Sequence, residues 1–197
     1  MRMSAARQNP PIFIAEYLAR ELTSTIKHEF VDGAVYAMAG ATANHNRIAT
    51  NATGALYSQL RGKRCQVFNS DMKVRVRQSY GTCFYYPDLS VVCRPNAGDE
   101  TFQDNPVVIV EVISDSTRRV DEFEKREAYL SINSLCVYVL LEPNTKSALV
   151  YRRADEGFAQ ESYAGSDAVI PLPEIECSLS LVDAYAQVEF LQPEPTE

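Results

Sequence analysis

The sequence predicts an α/β (α+β) protein in which a central mixed β-sheet is flanked by helices, with additional hairpins towards the N-terminus and the C-terminus. Three observations lead to this prediction. Apolar runs at 88–93, 107–113 and 136–143 are typical of strands that are covered on both faces. A four-residue apolar repeat over 42–61 predicts a long helix. The segment 118–132 fits a helix between two of the buried strands, an order that implies a parallel crossover.

The N-terminal part of the sequence is expected to form a short helix, a hairpin and a long helix, in that order. FIAEYLARE (13–21) fits a short helix, and KHEFVDGAVYAMAG (27–40) fits a hairpin. The Asp32-Gly33 dipeptide of this hairpin suits a type I′ turn, which needs positive φ. The long helix that follows has Thr42 or Asn44 as its N-cap candidate. Its apolar stripe comprises Ile48, Ala52, Leu56 and Leu60, and His45 falls on the same stripe.

The middle and the end of the chain predict further strands and one helix. Val74 and Val76 alternate with basic residues, and a turn at 79–81 separates their strand from the next. A later hairpin over 146–163 turns around 155–157. The helix over 118–132 has Ser116 or Thr117 as N-cap, an apolar line of Val120, Phe123 and Leu130, and a polar line of Asp121, Lys125 and Tyr129.

Length and composition predict one globular domain of a soluble protein. The 197 residues are 46% apolar, which suffices for a core. We expect one domain over 11–191, a flexible N-terminus over 1–10 and a disordered tail over 192–197. No apolar run approaches the roughly 18 residues of a membrane span, so a cytoplasmic location is expected. The five widely spaced cysteines indicate reduced core thiols rather than a disulfide framework.

The net charge and the missing motifs exclude several functions. A formal charge of −7 argues against nonspecific binding of polyanions, which depends on Lys and Arg. The sequence contains no GxxxxGK[ST], GxGxxG or GxSxG motif and has two histidines, so no organic cofactor is expected. Glycoside hydrolysis by two carboxylates is a weaker hypothesis, because the chain has no Trp to stack on a sugar.

Glu111 is the residue that most directly suggests a function, because it lies inside the apolar run 107–113. An ionised carboxylate is almost never fully buried unless it is paired or bound to a metal. Side chains two apart on a strand share a face, so Glu111 is expected to point with Val107, Ile109 and Ile113. Asp88 follows Pro87 at the start of a neighbouring buried strand. Two carboxylates at adjacent strand ends predict a site for Mg²⁺ or Mn²⁺.

Lys125 adds a cation to the two acids. Two carboxylates, a metal and an ammonium are the groups that metal-assisted hydrolysis of a phosphodiester requires, with Asp88 and Glu111 as metal ligands. Lys125 would position the nucleophile or stabilise negative charge in the transition state. The structural alternative is that Glu111 caps a loop or pairs with a buried arginine and that Asp88 caps a turn.

The same residues carry a family resemblance. The PD pair at 87–88, EVIS at 111–114 and the D…K…Y series at 121–129 resemble the PD-(D/E)XK nuclease superfamily. More narrowly, the chain is similar to the Uma-two family of restriction-endonuclease-like proteins, and the likeness extends from EYLARE to YVLLEP. The resemblance implies a restriction-endonuclease-like fold and Mg²⁺-dependent cleavage of DNA. It also implies catalytic roles for Asp88, Glu111 and Lys125.

The position of the lysine departs from the superfamily pattern. Superfamily members usually carry it two residues after the glutamate, where this chain has Ile113. Here the lysine has moved onto the following helix, where Lys125 could still reach the site. Supporting candidates of lower rank are Glu29, His45, Asp71, Asp121 and Tyr129.

Two functions of different classes therefore follow from the sequence. The first is a Mg²⁺-dependent or Mn²⁺-dependent endonuclease that hydrolyses DNA. The alternative is a catalytically inactive module that keeps the nuclease fold for binding or assembly, which the acidic charge and the displaced lysine favour. A homodimer is expected, because two-fold symmetry suits cleavage of both strands of a duplex.

Overall fold

The computed structural model describes residues 11–79, 81–114 and 120–190, and of residues 120–122 it describes the backbone alone. The helices are α1 (Ile14–Glu21), α2 (Ala43–Leu60), α3 (Arg126–Leu130) and α4 (Leu181–Ala184), with a π-helical segment at Val120–Lys125 and a 3-10 turn at Pro173–Ile175. The strands are β1 (His28–Val31), β2 (Ala34–Ala37), β3 (Gln66–Asn69), β4 (Lys73–Gln78), β5 (Gly81–Tyr85), β6 (Leu89–Val92), β7 (Phe102–Gln103), β8 (Pro106–Val112), β9 (Val137–Leu141), β10 (Ser147–Arg153), β11 (Phe158–Ala164), β12 (Val169–Leu172) and β13 (Cys177–Ser180).

These strands form two large mixed sheets and one small sheet. The six-stranded sheet has the order β11-β10-β9-β8-β6-β3, and its β8 and β9 run parallel. The five-stranded sheet has the order β2-β1-β5-β4-β7, and β12 pairs with β13. The predicted mixed α/β class with flanking helices is confirmed. The central strands are divided between two mixed sheets, because the chain leaves the five-stranded sheet after Tyr85 and enters the six-stranded sheet at Leu89.

Three apolar clusters hold the layers together. The first joins α2 and α4 to one face of the six-stranded sheet. The second is formed by α3 together with strands of both large sheets, and the third joins α1 to the five-stranded sheet through Tyr17, Phe30, Phe84 and Phe102. The predicted α2 stripe of Ile48, Ala52, Leu56 and Leu60 is buried. Each fully buried leucine or isoleucine of this kind contributes roughly 1.5–3 kcal/mol.

The first hairpin and the long helix agree with the sequence. Asp32 and Gly33 have φ of 44° and 90°, as a type I′ turn requires. Thr42 is the N-cap of α2, since its side chain accepts a hydrogen bond from the backbone N–H of His45 at 3.2 Å. This cap satisfies one of the N–H groups that have no partner inside the helix. It also fixes the position of His45 in the first turn.

The helix predicted over 118–132 differs in form from the prediction. It is a π-helical segment followed by the short α3. Because a π-helix closes i→i+5 hydrogen bonds, its faces do not follow the 3.6-residue period. The expected apolar line is therefore wrong at Phe123, which is 54% exposed, whereas Leu130 packs against the second cluster. The side chain of Val120 lies outside the described residues. Lys125, Ala128 and Tyr129 are buried. The N-cap candidates Ser116 and Thr117 lie outside the described residues.

The cysteines also correct the sequence prediction. Cys65 and Cys93 form a disulfide rather than two reduced thiols. The reason is the register of β3 and β6, in which Gln66 opposes Val92, so that the two cysteines face each other one position further along. This pairing depends on two strands that are distant in sequence. Cys83, Cys136 and Cys177 are free, and burial raises the pKa of each thiol.

The remaining features are the length of the helices and the two chain ends. No helix within the described ranges is long and apolar enough to cross a membrane. The predicted flexible N-terminus (1–10) and disordered tail (192–197) lie outside the described residues.

Candidate active site

The candidate site lies where the chain passes from one large sheet to the other. Asp88 immediately precedes β6, and β6 runs antiparallel to β8 with Leu89 opposite Val110. Asp88 therefore stands beside Glu111. Its backbone N–H donates a hydrogen bond to Glu111 Oε2 at 3.2 Å, and its Oδ2 accepts one from the backbone N–H of Val112 at 2.7 Å. These two bonds fix the two carboxylates at adjacent strand ends.

Glu111 is buried within the second apolar cluster, at 4% exposure. Ile109 and Ile113 belong to that cluster, whereas Val110 and Val112 belong to the first. This alternation confirms the predicted face of Glu111 at Ile109 and Ile113, whereas Val107 packs against the first cluster instead. The carboxylate is held by polar partners, because Tyr129 donates its hydroxyl hydrogen to Glu111 Oε1 at 3.1 Å.

Lys125 ends the π-helical segment and reaches the same carboxylate. Its residue is 6% exposed. Its Nζ lies 2.9 Å from Glu29 Oε1 and 3.5 Å from Glu111 Oε1. The displaced lysine thus stands beside the buried glutamate although it is carried by a different element. Lys125 and Tyr129 of the polar line, rather than Phe123 of the apolar line, face the protein interior.

Glu29 comes from the five-stranded sheet. Its neighbour Phe30 belongs to the third apolar cluster, so Glu29 points to the opposite face, towards Lys125. Glu29 Oε1 also accepts a hydrogen bond from the backbone N–H of Tyr86 at 3.4 Å. Both large sheets therefore contribute a carboxylate to the surroundings of Lys125.

His45 extends the cluster from the first turn of α2. Its Nε2 lies 3.2 Å from Asp88 Oδ2, and the two side chains are 15% and 14% exposed. Glu29, His45, Asp88, Glu111, Lys125 and Tyr129 thus form one connected group of polar side chains, which we call the carboxylate cluster.

Two of the supporting candidates are not placed in this cluster. Asp71 lies in the turn between β3 and β4, and its Oδ1 is 2.6 Å from Lys27 Nζ with 75% of its side chain exposed. Asp71 is therefore an exposed partner of a basic residue. Asp121 belongs to the π-helical segment, and its side chain lies outside the described residues.

Tyr85 and Tyr86 are parts of the site that sequence reasoning missed. Lys125 Nζ lies 5.8 Å from the centre of the Tyr85 ring, and burial raises the pKa of Tyr85 far above its usual range. Tyr86 faces the other side, where its hydroxyl donates to Glu21 Oε1 at 3.0 Å. The available signal was the YYPD sequence, which places two consecutive aromatic rings on opposite faces directly before Asp88.

The donor set of the cluster is compatible with a hard divalent cation. Among the described residues, no three His, Cys, Asp or Glu side chains are grouped closely enough to enclose a metal ion by themselves. Mg²⁺, however, keeps several waters and is usually held by one or two carboxylates plus substrate oxygens. Both contacts of the Asp88 carboxylate within the described part of the chain fall on Oδ2. Asp88 Oδ1 and the Glu111 carboxylate could therefore hold such an ion.

Comparison with known proteins identifies one similar structure and two relatives in sequence. A crystal structure described as a putative nuclease belonging to DUF820 from Anabaena variabilis ATCC 29413 has the same fold, with a TM-score of 0.72 at 19% identity, covering 91% of this chain and 100% of that one. "Uncharacterized protein slr1290" of Synechocystis sp. is 34% identical over 185 residues, covering 92% of this chain and 95% of the relative. "Uncharacterized protein sll1609" of the same organism is 34% identical over 131 residues, covering 65% and 73%.

The family match covers most of the chain. Residues 14–184 match the Uma2 family, whose description is "Putative restriction endonuclease". This range includes every residue of the carboxylate cluster. The expected resemblance is therefore confirmed, and the chain belongs to the Uma2 family.

Proposed function

We propose that this protein is an endonuclease that hydrolyses phosphodiester bonds of DNA with Mg²⁺ or Mn²⁺, using Asp88 and Glu111 as metal ligands and Lys125 as the catalytic cation. The main support for the proposal is that a buried ammonium lies beside the paired carboxylates of Asp88 and Glu111. Lys125 Nζ is 3.5 Å from Glu111 Oε1. Such a combination is typical of sites that cleave phosphodiesters with metal assistance. The family description supports DNA as the substrate.

Each side chain of the carboxylate cluster has a role in this proposal. Asp88 and Glu111 would hold a divalent cation, which would supply Lewis-acid chemistry that activates water and stabilises phosphate charge. Lys125 directs its ammonium at negative charge that develops on the phosphate oxygens. Glu29 holds that ammonium in place through its contact at 2.9 Å. Tyr129 and His45 orient the carboxylates of Glu111 and Asp88 through their own contacts.

A plasmid assay tests the proposal. Supercoiled plasmid incubated with the protein and Mg²⁺ or Mn²⁺ is expected to be nicked, and Asp88→Ala is expected to spare it. Asp71→Ala is the matched control, because Asp71 is also an aspartate but is exposed and paired with Lys27. Cleavage by Asp88→Ala at the rate of the wild type would reject the assignment.

The alternative is a catalytically inactive module that keeps the fold. The net charge of −7 favours it, because a DNA-binding surface depends on Lys and Arg. Calorimetric titration with Mn²⁺ separates the two functions. Binding that is lost in Glu111→Gln favours the enzyme, whereas no binding by the wild type favours the module.

The proposal includes a homodimer, because two sites related by a two-fold axis could cut both strands of a duplex. Sedimentation equilibrium tests this part independently. A monomer that nonetheless nicks plasmid would remove the dimer from the proposal and leave the chemistry unchanged.

A further inference from the structure

The edge of the five-stranded sheet presents an aromatic side chain beside the carboxylate cluster. Strand β2 is the last strand of that sheet, and all four of its residues are exposed. Tyr36 lies on this strand and is 47% exposed. Because no further strand of the described residues follows β2 in the sheet, an incoming ligand can approach the ring from this edge.

The strand register places Tyr36 next to the candidate chemistry. Tyr36 is the direct cross-strand partner of Glu29, and such partners lie on one face with Cβ atoms about 4.5–5.5 Å apart. Glu29 in turn contacts Lys125 at 2.9 Å. The ring therefore stands one side chain away from the ammonium that is proposed to act on a phosphate.

Tyr36 also differs from the aromatic residues of the interior. Tyr17, Tyr85, Tyr129 and Tyr138 are buried and contact other rings. Within the described part of the chain, Tyr36 has neither a ring contact nor a hydrogen bond. Its exposed ring face is thus available to a ligand, and the protein does not need it for packing the core.

The charge of the protein favours one kind of contact between β2 and DNA over another. Strand β2 reads AVYA and carries no charged residue, and the whole chain has a formal charge of −7. A long duplex footprint needs many phosphate contacts from Lys and Arg. Stacking of a base on an aromatic ring needs no charge on the protein and tolerates any base. It does need a base whose face is not covered by its neighbours in a duplex.

We propose that Tyr36 is a stacking platform for an unpaired base next to the scissile phosphate, so that the carboxylate cluster prefers DNA with unpaired bases, such as single strands, overhangs and the bubbles that open in a supercoiled plasmid. The substrate assignment depends on the proposed nuclease function. The stacking contact itself depends only on the exposure of Tyr36 and its position opposite Glu29.

Binding without cleavage tests the stacking contact. A single-stranded oligodeoxynucleotide that contains 2-aminopurine is titrated with the protein in EDTA, because stacking on a ring quenches the fluorescence of this base. The wild type is expected to quench it and to bind the same sequence more weakly as a duplex. Tyr36→Leu keeps an apolar side chain but removes the ring, and it is expected to weaken binding at least about fivefold. Tyr36→Phe is expected to bind like the wild type.

The matched control is Tyr57→Leu. Tyr57 is 60% exposed but lies 12 positions after His45 on α2, about 18 Å along the helix axis. Its replacement is expected to leave binding unchanged. Equal binding by wild type and Tyr36→Leu, equal affinity for single strand and duplex, or no binding by the wild type would each overturn the inference. A change of sedimentation in Tyr36→Leu with unchanged oligonucleotide binding would also overturn it, in favour of contact between two copies of the chain.

The outcome is distinguishable from that of the nuclease proposal. Binding that depends on Tyr36 in a protein that cuts no DNA would reject the nuclease and keep the stacking contact. Metal-dependent cleavage that is insensitive to Tyr36→Leu, with no preference for unpaired DNA, would keep the nuclease and reject the platform.

Discussion

Lys73 and Lys125 are almost equally buried, at 5% and 6% exposure, but they have different surroundings. Lys125 Nζ contacts the carboxylates of Glu29 and Glu111. Lys73 Nζ instead donates to the hydroxyl of Tyr86 at 3.2 Å. That hydroxyl donates onwards to Glu21, so a phenol separates the lysine from the nearest acid.

The difference between the two lysines has electrostatic consequences. Burial lowers the pKa of Lys73 below its ordinary value, and the charge of Glu21 opposes this only in part. A buried ammonium in contact with carboxylates is compensated directly, whereas one that contacts only a neutral group keeps most of its desolvation penalty. Burial alone therefore does not identify a functional lysine. We propose that direct contact with the acids of the carboxylate cluster distinguishes a functional lysine, and variants of the two lysines can test this distinction.

The largest expected difference between variants of Lys125 and Lys73 is in the rate of DNA cleavage. If Lys125 stabilises charge on the phosphate, Lys125→Met should lower the rate of metal-dependent plasmid cleavage about 10²–10⁴-fold, while Lys73→Met should retain it. Rates are compared at equal amounts of folded protein, as judged by circular dichroism. Lys125→Arg is a second variant, which keeps the positive charge for folding but places a planar group in the site. Full activity of Lys125→Met would remove its catalytic role.

The second largest expected difference between Lys125→Met and Lys73→Met is in the free energy of unfolding. Lys125→Met takes the ammonium away from Glu29 and Glu111, and breaking a buried ion pair in this way costs about 3–5 kcal/mol. Lys73→Met replaces a poorly compensated charge by an apolar side chain and should change the free energy of unfolding by less than about 1 kcal/mol. Urea unfolding of the two variants measures both values. Equal losses would mean that the two environments do not differ as described.

The pH dependence of Lys73 is expected to be the smallest effect. Its folded pKa is lowered relative to about 10.4 in the unfolded chain. Between these two values the unfolded state binds more protons, so the contribution of Lys73 to the free energy of unfolding rises with pH. The wild type should therefore gain stability relative to Lys73→Met over the pH range just below about pH 10. A constant difference in urea unfolding across this window would contradict the lowered pKa.

Local patterns in the sequence were sufficient to predict much of the fold and the proximity of Asp88 to Glu111. The positive φ of Asp32-Gly33 and the stripe of α2 depend on neighbouring residues alone. The face of Glu111 follows from the two-residue period of a strand. The proximity of Asp88 was inferred from its place at the start of a buried strand.

Features that depend on distant pairing could not be predicted in this way. The disulfide between Cys65 and Cys93 follows from the register of β3 and β6. The division into two large sheets follows from the passage of the chain between Tyr85 and Leu89. The exposure of Phe123 follows from a π-helical segment, which a 3.6-residue pattern does not identify. The contact of Tyr86 with Glu29 joins residues that are 57 positions apart.

The most direct measurement is a crystal structure after soaking in Mn²⁺, with the ion located by its anomalous scattering. We expect a peak within about 2.2 Å of oxygens of Asp88 and Glu111, and no such peak in crystals of Glu111→Gln. An ordered carboxylate cluster without manganese, or manganese bound only elsewhere, would contradict the claim that these two strand-end acids form a metal site.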